Sequence, residues 1–524
     1  GVCLFLSPFA ALATFMPPRG RPTLVVFLPR GRRRETRAPA IFPGACCPSP
    51  ATSMRALAIA TSVTLAAAME CLKSEELMQL TFKMPFVNRS DLQPRVPPSR
   101  CTVLHNGVVW SGEADEAHTS RRAFRGALVL RGNRIAAVIE AGEALPTEID
   151  GIACAAVDLH GRAVIPGMVE GHAHTGFEDI AAMTDPGDTP PEEGVLIGLL
   201  NAGRLLEAGF TSAFSAAGVR PRQDPVTRNW INAGRAPGPR LLAASPEITA
   251  TGNLGDGSVM HQHRDSFGLV ADGADEVRAA VRRCLREGAD TIKINIGGDL
   301  VPISKLSEER DDMLPAYSEA EVRAAVEEAH MRQKRVAAHC RGSADVRMAL
   351  AVGVDVIYHL DFVHKDSALL DALAAARDHI FVGPAVGLMA ALAPSLPDVQ
   401  LLLDAQAKTY SALRTRGLRV VVGGDYGFRV TPQGTNANDL LLFQRHFGYS
   451  PEEALVAATR HGGALMRLPV GQLRPGWLAD LLVVEGRPWE DSTPLLANLT
   501  DDGSVSTRRI AAIMQDGHFV RNQL

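Results

Sequence analysis

From Val164 to about Arg467 the chain repeats one unit, a short apolar run followed by an amphipathic helical stretch, and that repetition restricts its fold more than any other feature. Thr291-Ile-Lys-Ile-Asn-Ile296 reads as a strand. After it, Ser318-Glu-Ala-Glu321 forms a capping box, hydroxyl and carboxylate satisfying backbone groups at a helix start, with Val322, Val326 and Ala329 at helical spacing. Upstream, Val277, Val281, Cys284 and Leu285 make another single-face stripe, so Cys284 belongs to a core. Arg335–His339 reads as a strand, Ala344–Ala351 as a helix and Asp355–His359 as a strand again. Ser450-Pro-Glu-Glu453 caps one more helix, with proline at its first position. Parallel strands require crossovers of this kind, so the class is α/β with a parallel sheet. A (β/α)₈ TIM barrel is the expected architecture, with a doubly wound open sheet as the alternative.

The flanks read differently. Thr102–Trp110 and Gly126–Ile139 are alternating strands with turn signals at Asn106-Gly107 and Gly132-Asn133. A matching patch, Gly476–Val484 and Arg509–Val520, closes the chain. Neither patch has enough strands to stand alone, so the two are expected to pair into one small β-sandwich built from both ends. The resulting division is 101–163 and 471–524 for the sandwich halves and 164–470 for the barrel.

Residues 1–100 lack this order. Proline and arginine recur through Met16-Pro-Pro-Arg-Gly-Arg-Pro22 and Pro29-Arg-Gly-Arg-Arg-Arg-Glu35 without helical or strand period, which predicts disorder or an extension absent from the mature protein. Met54–Ala68 has one basic residue, an apolar centre and a small-residue end, the pattern of a secretory signal, although Glu70 beside Cys71 spoils a lipoprotein-type site. It is too short to span a membrane. Cytoplasmic residence is the expectation, and export follows only if that segment is a signal. A net charge of −4, with no block of lysine and arginine beyond the first forty residues, argues against a general nucleic-acid binder. Eight scattered cysteines give neither a dense disulfide framework nor a metal spacing, and are expected as core thiols. The implied partner is a small-molecule substrate, and a homo-oligomer is compatible with the composition.

Chemistry concentrates where the apolar runs end. His172 and His174, in Val164-Ile-Pro-Gly-Met-Val-Glu-Gly-His172-Ala-His174, stand two apart at a strand tip and so face the same way, as metal-binding imidazoles must. Lys293, His339, His359 and Asp425 end other runs, and in a barrel such ends converge on one face. Singly each has a plainer reading: solvated loop histidines, a hydrogen-bonded interior histidine, a snorkelling lysine, an aspartate turn beside Gly424. Lys293 is the most informative. Ile292, Ile294 and Ile296 occupy the opposite strand face, so its ammonium points toward the barrel mouth, where an unpaired charge is costly.

The order His-x-His, Lys, His, His, Asp, together with Leu473-Arg-Pro-Gly-Trp-Leu-Ala-Asp-Leu-Leu-Val-Val484, resembles the metal-dependent amidohydrolase superfamily in its two-metal branch. The resemblance covers about Thr102 to Val520. It implies that His172, His174 and Asp425 hold one divalent metal and His339 and His359 a second, with Lys293 bridging them as a carbamate formed with carbon dioxide. Zinc suits these nitrogen and oxygen donors best, with manganese, cobalt or iron left open by ligand type. Metal coordination lowers the pKa of bound water to roughly 7, and Asp425 would take the proton and pass it to the leaving nitrogen.

The lysine-bearing branch mostly hydrolyses amide, lactam or carbamate-like bonds. The resemblance therefore implies cleavage of an N-acyl amino acid, dipeptide or aryl amide, as in prolidase-like and ochratoxin-hydrolysing members. This chain departs from them in a Gly-rich loop, where Leu254 replaces the usual histidine. Gly383–Pro394 is apolar enough to line a pocket or to be ordinary buried structure. His261 and His263 lie on a polar loop from which a substrate carbonyl can be reached, and solvation there is the plainer alternative. Arg429 is a candidate clamp for a substrate carboxylate, against pairing with Asp439 or solvation. Two other classes remain: a one-metal hydrolase or deaminase of cyclic amidines, and a catalytically silent barrel scaffold.

Overall fold

The computed structural model describes residues 13–15, 23–25, 100–113, 123–261, 265–297, 313–507 and 509–524, in two compact units, 1–83 and 84–524. In the first, Ala13–Phe15 pairs antiparallel with Thr23–Val25. The rest of the expected extension, including Met54–Ala68, lies outside the described residues.

In the second unit, β1 (Cys101–Val109), β2 (Phe124–Arg131), β3 (Arg134–Glu140), β4 (Ile152–Asp158) and β5 (Ala163–Pro166) come first. Strand β1 pairs antiparallel with β2 and parallel with β4 and β5. Gly132-Asn133 makes the expected hairpin between β2 and β3. Asn106-Gly107 does not turn the chain. It sits inside β1, where the register shifts between Leu104 and Gly107, and Asn106 takes φ 57° as a bulge. The flanking apolar residues on both sides find partners, which carries the strand past the turn signal.

The barrel follows. Strands β6 (Met168–Ala173), β7 (Phe210–Ser215) and β8 (Arg240–Leu242) pair parallel, and β8 continues past Ala243 into β9 (Ala244–Thr249). Next come β10 (Thr291–Asn295), β11 (Arg335–Cys340), β12 (Val356–His359) and β13 (Phe381–Gly383), each parallel to its neighbour. The last position is residues 419–422: Val420 bridges Val382, and the Gly171 N–H donates to the Val422 carbonyl at 2.9 Å. Counting β8 and β9 as one bent strand, that bond returns the ring to β6 as an eight-membered parallel barrel, the architecture expected.

Helices fill the crossovers. They are α1 (Pro191–Glu207), α2 (Gln223–Asn232), α3 (Ala274–Arg286), α4 (Glu319–His330), α5 (Ser343–Val352), α6 (Ser367–Ala375), α7 (Val386–Leu392), α8 (Pro397–Thr415), α9 (Asp439–Phe447) and α10 (Pro451–Val456). The Ser318 and Ser450 capping boxes form at α4 and α10. Val277, Val281, Cys284 and Leu285 of α3 are buried, each worth about 1.5–3 kcal/mol when an aliphatic chain leaves water.

The chain then returns to the first sheet through β14 (Leu481–Val484), β15 (Ile510–Gln515) and β16 (His518–Asn522). Because β14 pairs antiparallel with β5, both ends share one nine-stranded sheet. Strand alternation sends Leu104, Leu128, Leu481 and Met514 to one apolar cluster and Val103, Ala127 and Val129 to another. Buried Arg240 fastens this sheet to the barrel, with its Nε 2.8 Å from Asp480 and a further bond to Asp516.

Cys101 and Cys154 depart from the expectation of core thiols: they form a disulfide with Cα atoms 4.4 Å apart. They are register partners on the adjacent parallel strands β1 and β4, a proximity that their 53-residue separation hides. Cys284 and Cys340 are free and buried.

Candidate metal centre

Strand geometry brings the ligand candidates together at the C-terminal mouth of the barrel. His172 lies near the end of β6 and His174 just beyond it; their ring centroids are 5.1 Å apart. Asp425 follows the 419–422 segment in a turn where Gly423 passes so close to β6 that a Cβ would lie 2.3 Å from that of His172. One donor atom each from His172, His174 and Asp425 lie within 4.8 Å of one another. His174 Nε2 is 3.3 Å from Asp425 Oδ1, while its Nδ1 donates to the Ala217 carbonyl at 3.2 Å. A carbonyl only accepts, so that bond fixes the proton on Nδ1 and leaves the Nε2 lone pair for a cation.

The neighbouring strands add the second group. His339 is the penultimate residue of β11 and His359 ends β12, with ring centroids 4.1 Å apart, and the His359 ring stands 5.5 Å from that of His172. Lys293 on β10 points into the same cavity, its Nζ 4.8 Å from the centre of the Tyr358 ring. Tyr358 stacks on His172 at 3.9 Å and donates to the Gly171 carbonyl, fixing one face of that imidazole. His359 and Asp425 take φ 78° and 62°, left-handed backbone that a non-glycine residue rarely adopts and that recurs at functional sites.

Burial sets the charge states. It holds His172 and His359 well below the ordinary histidine range, helped at His172 chiefly by the Lys293 charge and at His359 by His339, and brings His174 down to about 3. All three are therefore neutral near pH 7, as metal ligands must be. Burial also lowers the Lys293 pKa, opposed by Glu247 and Asp425. Among the described residues the buried Nδ1 atoms of His172 and His359 find no hydrogen-bond partner. Unpartnered nitrogens beside a carboxylate are costly in a metal-free core and fit a cation.

The cavity above these groups has a volume of about 410 Å³. Its walls are apolar: Phe177, Ile180, Met183, Leu254, Leu388, Met389, Leu392, Val399 and Phe428. Gly383–Pro394 thus supplies pocket lining through α7, and Leu254 occupies the wall where relatives were expected to carry histidine.

Other expectations change. His261 is exposed, like Val259 and Met260 before it, and not among the cavity-lining residues; His263 lies outside the described residues. Arg429 reaches the cavity rim, but its fork takes Asp179 at 3.0 and 3.2 Å, so the expected carboxylate clamp is already engaged. Asp439 instead accepts from Tyr426 and the Gly423 N–H. The sequence reading passed over Glu247 and Arg341, both cavity-lining, and Glu170 beneath it. Period two was the available signal: Glu170 precedes His172 by two residues and Arg341 follows His339 by two. Glu247 is a lone acid in an apolar strand.

Residues 163–512 match the model of the amidohydrolase family. The chain belongs to that family. Among curated relatives, ochratoxinase of Aspergillus niger is 27% identical over 356 residues, covering 63% of this chain and 71% of that protein. Imidazolonepropionase of Symbiobacterium thermophilum is 25% identical over 397 residues, covering 68% and 83%. A Xaa-Pro dipeptidase with bound methionine superposes with a TM-score of 0.68 at 24% identity, over 80% of this chain and all of that one, and shares the fold. The ochratoxinase crystal structure gives 0.67 at 22% identity, over 81% and 96%. This amidohydrolase is a hydrolase of carbon–nitrogen bonds, the resemblance to prolidase-like and ochratoxinase-like members holds, and the cluster of His172, His174 and Asp425 fits a metal site. Among the described residues no helix is long and apolar enough to cross a membrane.

Proposed function

We propose that this amidohydrolase cleaves an amide bond with an apolar group on one side, an N-acyl amino acid, dipeptide or aryl amide, using two divalent metals. One observation carries the reading: four imidazoles, Asp425 and Lys293 meet on the floor of one apolar-walled cavity. His172, His174 and Asp425 would hold one ion and His339 and His359 the other. Lys293 would join them as a carbamate, since burial favours its neutral amine and that form attacks carbon dioxide. A pair of divalent ions, zinc by donor type, supplies Lewis acidity toward the carbonyl and makes water acidic enough to react at neutral pH.

The protein's own groups do the rest. The walls seat the apolar substituent and exclude water, which strengthens every charge interaction on the floor. An Asp425 carboxylate oxygen accepts the proton of the attacking water as its oxygen bonds to the carbonyl carbon, then returns it to the nitrogen as the C–N bond breaks. Arg341, buried beside this floor and 2.7 Å from Asp361, adds a cation near the developing oxyanion.

Purified protein should carry close to two metals per chain, lose activity to chelator, and hydrolyse N-acyl aromatic amino acids faster than N-acyl glycine. Metal-replete protein inert toward an amide panel with zinc and bicarbonate present overturns the reading. A one-metal hydrolase of ring substrates is the second reading. It is favoured by the tight cluster being that of His172, His174 and Asp425 and by the imidazolonepropionase likeness. A stoichiometry of one metal with turnover of a cyclic substrate would select it. The Cys101–Cys154 disulfide favours an oxidising compartment, and so export over cytoplasmic residence.

A further inference from the structure

Four buried hydrogen bonds run beneath the first ligand group, and three of them involve one short segment, residues 436–439. Asn436 Nδ2 donates to Glu170 Oε2 at 3.0 Å, and Glu170 Oε1 accepts the backbone N–H of His172 at 3.0 Å. Asp439 Oδ2 accepts the Gly423 N–H at 2.9 Å, and its Oδ1 accepts the Tyr426 hydroxyl at 3.0 Å. Glu170, Asn436, Asp439 and Tyr426 are all buried, and none lines the active-site cavity. Asp439 therefore grips the chain on both sides of Asp425, while Glu170 grips the strand that carries His172 and His174.

We propose that Glu170 and Asp439 are positioning residues that fix the spacing between Asp425 and the two histidines, and so set the affinity of the first metal. The inference rests on the metal reading above. Its physical basis is the contrast in how the ligands are held. His339 and His359 lie at the C-terminal ends of strands whose parallel ladders are continuous, Asn295 of β10 opposite His339 and Cys340 of β11 opposite His359. Asp425 has no ladder. It stands in a turn after Gly423 and Gly424, with left-handed φ, where a chain without side-chain braces has many alternatives. Metal affinity requires ligands held near their bound geometry, so the freedom of that turn must be removed by something outside the ladder. Asp439 supplies that constraint alongside the bonds that the Gly424 and Tyr426 carbonyls accept from the Leu388 N–H and Gln433 Nε2. Glu170 ties the Asp439 segment, through Asn436, to the strand of the two histidines. Two close buried carboxylates are an expensive way to fill a core otherwise.

The test is stepwise titration of metal-free, full-length protein with Co²⁺, followed by its visible absorption and by competition with a chromophoric chelator. Asp439→Asn keeps size and one acceptor. In it, one of the two sites should weaken about tenfold or more, as loss of outer partners of metal ligands does, with the other within about twofold. The weakened site must be the one that Asp425→Asn weakens, and the Asp439→Asn, Asp425→Asn double variant should be no worse there than Asp425→Asn alone. Tyr426→Phe, which removes one of the two grips on the turn, should show the same selectivity at smaller size, and Glu170→Gln should act on the same site. kcat should fall in each variant with KM nearly constant. Unchanged affinities in a folded Asp439→Asn protein overturn the proposal. So does parallel weakening of both sites in step with Tm, which marks a purely structural role. Should Asp439→Asn fail to fold, Tyr426→Phe decides by the same criteria. A wild-type chain that takes up no metal removes the parent reading and this proposal with it.

Discussion

The barrel and the two-ended sheet bury similar strands and use them in opposite ways. In the sheet, inward positions are Leu104, Val129, Leu481 and Met514, apolar residues whose burial is favourable at every position, and a disulfide ties β1 to β4. In the barrel, the inward positions at the mouth are His172, Lys293, His339 and His359, buried polar groups including two nitrogens without partners. Burial there opposes folding and was retained, which marks the mouth as functional and the sheet as support. Substitutions in the two regions should then separate activity from stability in opposite directions.

The largest effect belongs to the barrel. Lys293→Met should lower kcat/KM on an N-acyl aromatic amino acid by about 10³-fold or more, roughly 4 kcal/mol in the barrier, as loss of the group proposed to join two Lewis acids implies. The metal-free variant should melt at or above wild type, because a buried amine is exchanged for an apolar chain of similar size. A variant that keeps its rate, or one that loses rate only in proportion to Tm, breaks the contrast.

The sheet supplies the converse. Cys154→Ser opens a loop closed across 53 residues, for which chain entropy gives about 4 kcal/mol, reduced toward 2 where the unfolded chain retains structure. Chemical denaturation should show that loss while kcat/KM stays within about twofold. The same substitution should be silent if the protein is prepared fully reduced.

How legible these regions were in the sequence follows from the range of the signals. Helices and barrel strands announce themselves locally, through capping boxes at Ser318 and Ser450 and through apolar runs, so the architecture could be read. His172, His174, Lys293, His339, His359 and Asp425 each end such a run, and a family pattern orders them. What was lost depends on partners far along the chain. The Cys101–Cys154 pairing needs the parallel register of β1 with β4. Asp439 serves Gly423 across a turn, and Arg429 finds Asp179, 250 residues away. Asn106-Gly107 misled because turn propensity is local, while neighbouring strands decided that the chain runs straight through it.

Acid should distinguish the regions next. His461, half-buried in the barrel with Nδ1 2.9 Å from the Val420 carbonyl, is pushed down to about 4 chiefly by desolvation. The unfolded chain takes up that proton near 6.5 while the folded chain does not. Folding stability contributed by this group is therefore complete above about 6.5 and falls as pH drops toward 4, by on the order of 3 kcal/mol. Replacing His461 with glutamine should make the stability profile less steep between pH 4 and 6.5, the slope due to His172, His174 and His359 remaining, while leaving its value at pH 8 less affected.

Within the barrel the wall can be separated from the floor. Met389→Ala enlarges the apolar cavity without touching a ligand, and should cost about 1–3 kcal/mol in kcat/KM for aromatic substrates, with little change for N-acyl glycine. Equal losses on both substrates would show that Met389 supports the floor and not the substrate, and would erase the distinction between wall and metal centre.

The smallest effect is expected where the sequence had suggested a clamp. Arg429 and Asp179 are each nearly two-thirds exposed at the rim, and an ion pair in that position contributes 0–1 kcal/mol because solvent screens it and ordering two side chains costs entropy. A substrate carboxylate would have to displace Asp179 from both guanidinium bonds, exchanging one charged partner for another with little net gain. Arg429→Ala should accordingly change kcat/KM by less than about threefold on N-acyl amino acids, and no more on these acids than on their amides. A loss confined to the free acids would mean that Asp179 yields to substrate, and would extend the functional region from the mouth of the barrel to its rim.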